Sequence, residues 1–284
     1  MERKKTTKSI GELKGRLLAF GGVYSNLQAL EQLQQIAEDW QIPPSHILCT
    51  GDVVGYCAEP EASVQAIREW GIHCIAGNVE IQLREGEADC GCDFRDGSRC
   101  DTFSRQWYPY AQTRLSRSAI EWMQELPDFL RFRFADREAM VVHGSFHHTS
   151  EYVFASTPWA VKQRNFVDTH TQVILAGHCG LPFQQQRGNC HWLNPGVIGM
   201  PANDGTVRVW YMILEAEAAG EWRYAHQAFF YDHRQAAKRM RAQGLPESYA
   251  QTLETGIWDN CEILPREETE MQGVQLSQKY LAHF

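Results

Sequence analysis

Four polar side chains of types that bind metal ions each adjoin a glycine at the end of a short apolar segment. They occur in the pairs Gly51-Asp52, Gly77-Asn78, His143-Gly144 and Gly177-His178. A glycine lets the backbone turn sharply, so the neighbouring side chain can point into a shared cleft. One carboxylate, one amide oxygen and two imidazoles are a suitable ligand set for a divalent transition metal. We therefore expect these four side chains to form one metal site.

Apolar segments of strand length precede these turns, and segments with helical spacing of apolar residues lie between them. The predicted strands are 16–20, 46–50, 73–76, 129–134, 139–142, 172–176, 191–193, 207–215 and 222–231, and the predicted helices are 26–40, 61–70, 103–113, 116–126, 158–167 and 232–243. Alternating strands and helices in the first half favour a parallel sheet, with ligand sites at the carboxyl ends of its strands. The strand-rich second half indicates a second sheet. We predict an α/β domain over residues 15–264, with polar tails at 1–14 and 265–284.

Five short motifs in a fixed order resemble those of the calcineurin-like metallophosphoesterase superfamily. They are Gly51-Asp-Val-Val-Gly55, Gly77-Asn-Val-Glu80, His143-Gly-Ser145, Gly177-His-Cys-Gly180 and Asn194-Pro-Gly196. The chain looks most similar to the small prokaryotic branch that contains phosphodiesterases and relatives of dinucleoside tetraphosphatases. The resemblance covers roughly residues 17–256 and implies a four-layer αββα sandwich with two mixed β-sheets. It also implies that Asn194-Pro-Gly196 supports the site rather than reacts.

The resemblance implies two adjacent metal positions, and this chain departs from the family pattern at only one of them. The second position would bind Asp52, Asn78, His143 and His178, its full protein set. The first would share Asp52, but the family's other ligands there are replaced by Gly22, Tyr24 and Gly180. Val79 stands where the family has a histidine that protonates the leaving group or contacts the phosphate, and Glu80 beside it would repel phosphate unless protonated. The expectation is a degenerate site with one divalent transition metal at most: Fe, Mn or Zn.

The activity implied by the resemblance is metal-dependent hydrolysis of a phosphomonoester or phosphodiester, with a nucleotide as one possible substrate, by water activated at the metal. His147 and Tyr24 are candidates for contact with the phosphate. Tyr24 could equally fill the vacated first position as an apolar ring, and His147 could be an exposed loop residue. The alternative function is a catalytically inactive protein that binds a nucleotide, another phosphate ligand or a partner protein.

Composition excludes several other classes. The 284 residues carry 27 Lys and Arg against 35 Asp and Glu, a net charge of −8, which argues against an extended nucleic-acid surface or binding to an anionic membrane. No apolar run reaches the ~18–20 residues that span a bilayer, and no signal peptide is evident, so we expect a cytoplasmic protein. Nine cysteines, an odd number, cannot all pair within the chain. Cys90, Cys92 and Cys100 could form a zinc site, but their spacing favours a loop of reduced thiols.

Overall fold

The computed structural model describes residues 5–92, 97–217, 220–277 and 282–283. The strands are β1 Thr7–Leu13, β2 Arg16–Phe20, β3 Ile47–Cys49, β4 His73–Cys74, β5 Phe129–Phe134, β6 Arg137–Val141, β7 Val173–Leu175, β8 Phe183–Arg187, β9 Cys190–Asn194, β10 Val209–Ala216, β11 Trp222–Phe229 and β12 Ala282–His283. The α-helices are α1 Leu27–Asp39, α2 Pro60–Trp70, α3 Asn78–Glu85, α4 Arg99–Arg114, α5 Arg117–Glu125, α6 Trp159–Thr169, α7 His233–Ala242, α8 Glu247–Thr255 and α9 Arg266–Glu270.

Two mixed sheets of six strands form the centre of the fold. The first sheet has the order β1-β5-β6-β7-β9-β8, and the second has the order β12-β11-β10-β2-β3-β4. In the first sheet β6, β7 and β9 run parallel to one another, and in the second β2, β3 and β4 do so. The carboxyl ends of two parallel sets therefore supply the loops in which the predicted metal ligands lie.

The apolar side chains divide into layers. Residues of both sheets, including Leu17 and Leu48 from one and Phe132 and Val141 from the other, fill the space between the sheets. A larger apolar cluster joins the outer face of the second sheet to α1, α2, α4, α5, α7 and α8. On the outer face of the first sheet, Phe166 of α6 packs with Trp192 of β9. The prediction of a four-layer αββα sandwich is confirmed.

The predicted polar tails contain regular structure. Residues 7–13, assigned to the N-terminal tail, form β1, which pairs in parallel with β5 at the edge of the first sheet. All but Ile10 and Leu13 of its side chains are exposed, so the sequence lacks the apolar alternation of a buried strand. Residues 266–270, assigned to the C-terminal tail, form α9, and residues 282–283 pair with β11. The prediction that these segments are tails is therefore wrong for the strands and helix named here.

Several predicted element bounds agree with the structure, and some elements were missed. Strands 16–20 and 129–134 were predicted with the observed bounds. The prediction missed α3, β8 and α8, and it began the helix 103–113 four residues too late, because α4 begins at Arg99. Residues 93–96, between Cys92 and Cys100 of the predicted thiol loop, lie outside the described residues. Within the described part of the chain, no helix has the length and apolar character needed to cross a membrane.

Candidate metal centre

The four predicted ligands lie at the carboxyl ends of strands from both sheets. Asp52 follows β3, and Asn78 follows β4 as the first residue of α3. His143 follows β6, and His178 follows β7. All four side chains are buried. The two-sheet architecture thus brings together residues that are 126 positions apart at the extremes (178 − 52 = 126).

The potential ligand atoms converge around Nε2 of His143. This atom lies 3.2 Å from Oδ2 of Asp52, 2.9 Å from Oδ1 of Asn78 and 3.1 Å from Nδ1 of His178. The ligand atoms of Asp52, His143 and His178 all lie within 4.8 Å of one another. In the described part of the chain, this is the one group of three or more His, Cys, Asp and Glu side chains close enough to share an ion.

The hydrogen-bond partners of these side chains turn their potential ligand atoms toward one another. Nδ1 of His143 lies 2.7 Å from the carbonyl of Thr50, which only accepts, so Nδ1 carries a proton and Nε2 is the ring nitrogen that faces the other side chains. The Asn78 amide group donates outward to the carbonyl of Cys90, which turns its oxygen toward His143. Oxygen atoms of Asp52 and Asn78 consequently face Nε2 of His143 in a buried space, where a proton on that nitrogen or a bound cation holds them together. The donor set of one carboxylate, one amide oxygen and two imidazoles fits a divalent transition metal.

Burial alone would lower the pKa of His143, but Asp52 outweighs it and the pKa is raised, so a metal ion that binds His143 displaces a proton. Burial alone would raise the pKa of Asp52, but the neighbouring His143 outweighs it and the pKa is lowered. Burial, reinforced by His143, lowers the pKa of His178 to about 3. An ionised carboxylate and a neutral imidazole are the forms that bind metal ions.

Glu80 fixes the backbone that carries Asp52. Its carboxylate accepts hydrogen bonds from the amides of Asp52, Val54 and Gly77, at 2.8, 3.1 and 2.9 Å. Glu80 is fully buried and so does not face a substrate, and the expectation that it repels phosphate is wrong. Its position, three residues after Gly77 at the start of α3, is the capping-box position, a signal that could have predicted both its role and the helix.

Backbone strain is concentrated at the centre. Asp52 and His178 adopt left-handed conformations with φ of 57° and 59°, as do Tyr24 and Ser25 beside them, with φ of 52° and 60°. Such conformations cost non-glycine residues ~1–3 kcal/mol each unless the surroundings enforce them. Glu80 provides part of that enforcement for Asp52. Strained residues cluster at functional sites, which agrees with a binding or catalytic role here.

The Tyr24 ring occupies the space over Gly22, where the resemblance places the first metal position. A Cβ atom built on Gly22 would lie 2.5 Å from Cζ of Tyr24, so the ring lies directly over Gly22. The ring packs edge-on against Tyr56 with centroids 4.7 Å apart and lines a cavity beside Asp52. Gly180 lines the same cavity in a left-handed conformation, φ 75°. Of the two roles open to Tyr24, filling the vacated volume agrees with its placement.

Val79 contributes its backbone rather than a reactive side chain. Its amide lies 3.3 Å from Oδ1 of Asp52 and donates to it, and its side chain belongs to the apolar cluster under the helices. Asn194 supports the loop of His178, because its amide group donates to the Gly177 carbonyl and the Cys179 sulfur at 3.0 and 3.1 Å. This is the supporting position expected for the Asn194-Pro-Gly196 motif.

Five aromatic side chains contribute to the wall of the cavity, which has a volume of about 80 Å³. The aromatic members of the lining are Tyr24, Tyr56, Tyr152, Tyr249 and Trp258. Tyr152 stacks on the ring of His178 with centroids 4.3 Å apart. Asp52 and Asp259 also line the cavity, and its described lining contains no Lys or Arg. A metal ion bound at this cavity would supply an anionic ligand with positive charge that Lys and Arg do not provide in the described lining.

The structure also bears on the sequence predictions for His147 and for three cysteines. Nε2 of His147 lies 3.2 Å from Oδ2 of Asp168 in α6, and His147 is not among the cavity residues, so the structure does not support its contact with phosphate. Cys90, Cys92 and Cys100 do not form a metal-binding group among the described residues. Cys100 donates to Asn260 at 3.5 Å, whereas Cys92 accepts from Asn78.

The chain matches the model of the calcineurin-like phosphoesterase superfamily domain over residues 22–219. An uncharacterised protein of Methanocaldococcus jannaschii is 21% identical over 259 residues, which cover 86% of this chain and 99% of that protein. The crystal structure of a metallophosphoesterase from Sphaerobacter thermophilus has 23% identity and a TM-score of 0.66, covering 86% of this chain and 100% of the other. A hypothetical protein from Pyrococcus horikoshii has 18% identity and a TM-score of 0.70, covering 86% and 99%.

Proposed function

Because the chain belongs to the calcineurin-like phosphoesterase superfamily, we propose that it is a metal-dependent phosphoesterase with a mononuclear centre. Its substrate is a phosphomonoester or phosphodiester of a small molecule, nucleotides included. The ligands of the single ion are Asp52, Asn78, His143 and His178. The ion is Fe, Mn or Zn, the metals that suit mixed imidazole and oxygen ligands.

The observation that carries this proposal is the convergence of potential ligand atoms around His143 Nε2. One carboxylate oxygen, one amide oxygen and one imidazole nitrogen lie within 3.2 Å of this nitrogen, and a divalent ion can bind all four atoms. The absence of four of the family's residues elsewhere leaves this set untouched. Tyr24 fills the space of the first position, which supports one ion rather than two.

When bound, a divalent ion would polarise a phosphoryl oxygen and make a water molecule more acidic. The protein residues do the rest. Glu80 holds the Asp52 loop through three amides, and Thr50 holds the His143 tautomer. The aromatic wall of Tyr24, Tyr56 and Tyr152 limits the water around the bound phosphate, which strengthens electrostatic interactions there.

The same site favours slow turnover or pure binding over fast catalysis. Val79 cannot donate a proton to a leaving group, and general acid catalysis contributes typically ~10²–10⁴-fold. The second candidate function is therefore a binding protein that holds a phosphate ligand at the metal without hydrolysing it. Loss of the first-position ligands and of the proton donor in the same chain is the observation that favours it.

Metal content and hydrolysis distinguish the two functions. We expect one equivalent of transition metal in protein purified without chelator, measured by elemental analysis. Hydrolysis of bis(4-nitrophenyl) phosphate and 4-nitrophenyl phosphate is then measured with added Mn²⁺, Fe²⁺ or Zn²⁺. Metal-dependent turnover supports the enzyme. Bound metal without turnover, together with phosphate binding by calorimetry, supports the binding protein.

Variants identify the centre as the source of both signals. Asp52→Asn and His178→Ala should lose the metal and any turnover. His191→Gln is the matched control, because His191 is a buried histidine that contacts Tyr224 in the inter-sheet region rather than the centre. Two equivalents of metal in the unaltered protein would contradict the mononuclear proposal, and no metal at all would contradict the centre.

A further inference from the structure

Asn78 is the metal ligand whose orientation depends on a cysteine pair. Its amide nitrogen donates to the Cys90 carbonyl at 2.8 Å and to the Cys92 sulfur at 3.2 Å. An amide group can flip by exchanging its oxygen and nitrogen, and these two acceptors select the orientation that turns the oxygen toward His143. Altering a residue that orients a metal ligand in this way typically changes the metal affinity by ~10–100-fold.

The turn around Gly91 brings Cys90 and Cys92 to the same cavity. Gly91 has a left-handed φ of 67°, its amide donates to Asp89 at 2.8 Å, and its carbonyl accepts from the Ser150 hydroxyl at 2.6 Å. Disulfide formation requires two sulfurs that can approach without a large backbone movement. Two cysteines that flank one glycine in a turn and line one cavity are placed for that approach.

Cys92 is within reach of small solutes. It lines the cavity of the metal centre together with Asp52 and His178, and it also lines an adjacent cavity of about 320 Å³ with Cys90 and Arg105. The cysteines Cys49 and Cys74 are by contrast buried opposite each other on the paired strands β3 and β4. The Cys90–Cys92 pair is therefore the thiol pair that lies at a cavity and touches a proposed metal ligand.

We propose that Cys90 and Cys92 are an oxidation site that sets how tightly the centre holds its metal ion. The proposal rests on the metal centre proposed above. In the reduced form the Cys92 thiol and the Cys90 carbonyl hold Asn78 in its ligating orientation. In the disulfide form the ring closed through Gly91 moves both acceptors, so Asn78 loses its fixed orientation and the affinity for the metal falls.

A low-molecular-weight disulfide is the oxidant. The Cys92 sulfur attacks it, a mixed disulfide forms, and one small thiolate leaves and takes up the proton lost by Cys92. The Cys90 sulfur then attacks the Cys92 sulfur, which forms the intramolecular bond and expels the second small thiolate, protonated in turn by the proton from Cys90. Two protein thiols are oxidised and one small disulfide is reduced to two thiols.

The test uses the full chain loaded with one equivalent of Zn²⁺ or Mn²⁺ and treated with oxidised glutathione. Intact mass and peptide mapping report the Cys90–Cys92 bond, a loss of about 2 Da with two hydrogens removed. Competition with a chromogenic chelator reports metal affinity, which should fall ~10–100-fold and recover with dithiothreitol. This readout does not depend on catalysis.

Three variants separate the thiol pair from general oxidation. Cys92→Ser keeps an acceptor for Asn78 and cannot form the bond, so it should hold the metal and ignore glutathione. Cys90→Ser should also ignore glutathione. Cys100→Ser is the matched control and should respond like the unaltered protein, because Cys100 lines the same cavity but contacts Asn260 rather than Asn78.

The outcomes distinguish this inference from the proposed function. A Cys90–Cys92 bond that leaves metal affinity unchanged would overturn the inference alone. A lasting glutathione adduct without the intramolecular bond would overturn it as well. Failure of the reduced protein to bind any metal, measured before oxidation, would refute the proposed function and the inference that rests on it.

Discussion

The placement of the Tyr24 ring over Gly22 predicts a strong coupling between these two residues. A Cβ on Gly22 would lie 2.5, 2.7 and 2.9 Å from three atoms of the ring, closer than real side chains approach. The ring is buried and packed against Tyr56, so it cannot move freely. Gly22→Ala should therefore destabilise the protein by ~2 kcal/mol, a typical cost of overpacking.

The cost should disappear once the ring is removed. Tyr24→Ala alone should lose ~3 kcal/mol as a buried aromatic side chain is truncated. In that background Gly22→Ala meets no ring, and φ of Gly22 lies outside the left-handed region. Alanine should then be neutral or stabilising by up to ~1 kcal/mol, because it restricts the unfolded chain. The coupling energy between the two positions is thus ~2–3 kcal/mol, well above the ~0.5 kcal/mol of independent sites.

Urea unfolding of the four proteins of the cycle, in the presence of a chelator, measures this coupling without a contribution from bound metal. Gly199→Ala is the matched control. Its Cβ would approach the Val23 carbonyl group and lie 2.7 Å from Cβ of Tyr24, atoms that remain in Tyr24→Ala, so its cost should persist there. An equal cost of Gly22→Ala in both backgrounds would refute the conclusion that the ring fills the first metal position.

Four further outcomes are expected. The triple variant Gly22→Asp, Tyr24→His and Gly180→His should bind a second equivalent of Mn²⁺ by elemental analysis, at a cost of ~1–2 kcal/mol from the left-handed backbone at residue 180; a folded variant with no additional metal would contradict the mapping of the first site. Glu80→Ala should lower the free energy of unfolding by ~2 kcal/mol in urea, because three buried amides lose their acceptor, and unchanged stability would count against its positioning role. Removal of the metal by a chelator should lower Tm in calorimetry. The loss corresponds to ~2.7 kcal/mol of unfolding free energy, compared with protein in free metal at a hundred times Kd. The Tm of His178→Ala should not change with the chelator. Burial lowers the pKa of Lys162 from 10.5 to about 8. Between these pH values the native state has lost a proton that the unfolded chain keeps, so the free energy of unfolding should rise with pH. Urea titrations at successive pH values should show no such rise for Lys162→Met.

The sequence predicted that Asp52, Asn78, His143 and His178 lie together, because each one adjoins a glycine at the end of a strand. The order of the motifs placed Asp52 and His178 each at the carboxyl end of a strand. The two strands belong to different sheets, whose carboxyl ends lie side by side. Glu80 was misread because its charge was considered without its backbone partners, even though its capping-box position was visible. The contact of Cys92 with Asn78 could not be predicted, since it depends on the path of the chain between α3 and α4.

Packing decided the elements that the sequence missed. Strand β1 exposes most of its side chains, so periodicity gives little signal for it, and only its pairing with β5 defines it as a strand. The orientation of Tyr24 over Gly22 depends on a left-handed backbone at Tyr24 and on the contact with Tyr56, neither of which follows from local propensity.

The N-terminal strand also has a consequence for how the chain folds during synthesis. The Thr6 amide donates to the side chain of Asp128, 122 residues later, and β1 cannot pair until β5 exists. At ~5–20 residues per second, the ribosome takes ~6–24 s to make that intervening stretch. An unpaired strand is a template for aggregation, and charged side chains reduce that hazard. Strand β1 carries the charged residues Lys8 and Glu12, which also give it the composition of a solvated tail. These charges reduce the risk of aggregation while β1 is unpaired and the rest of its sheet is being synthesised.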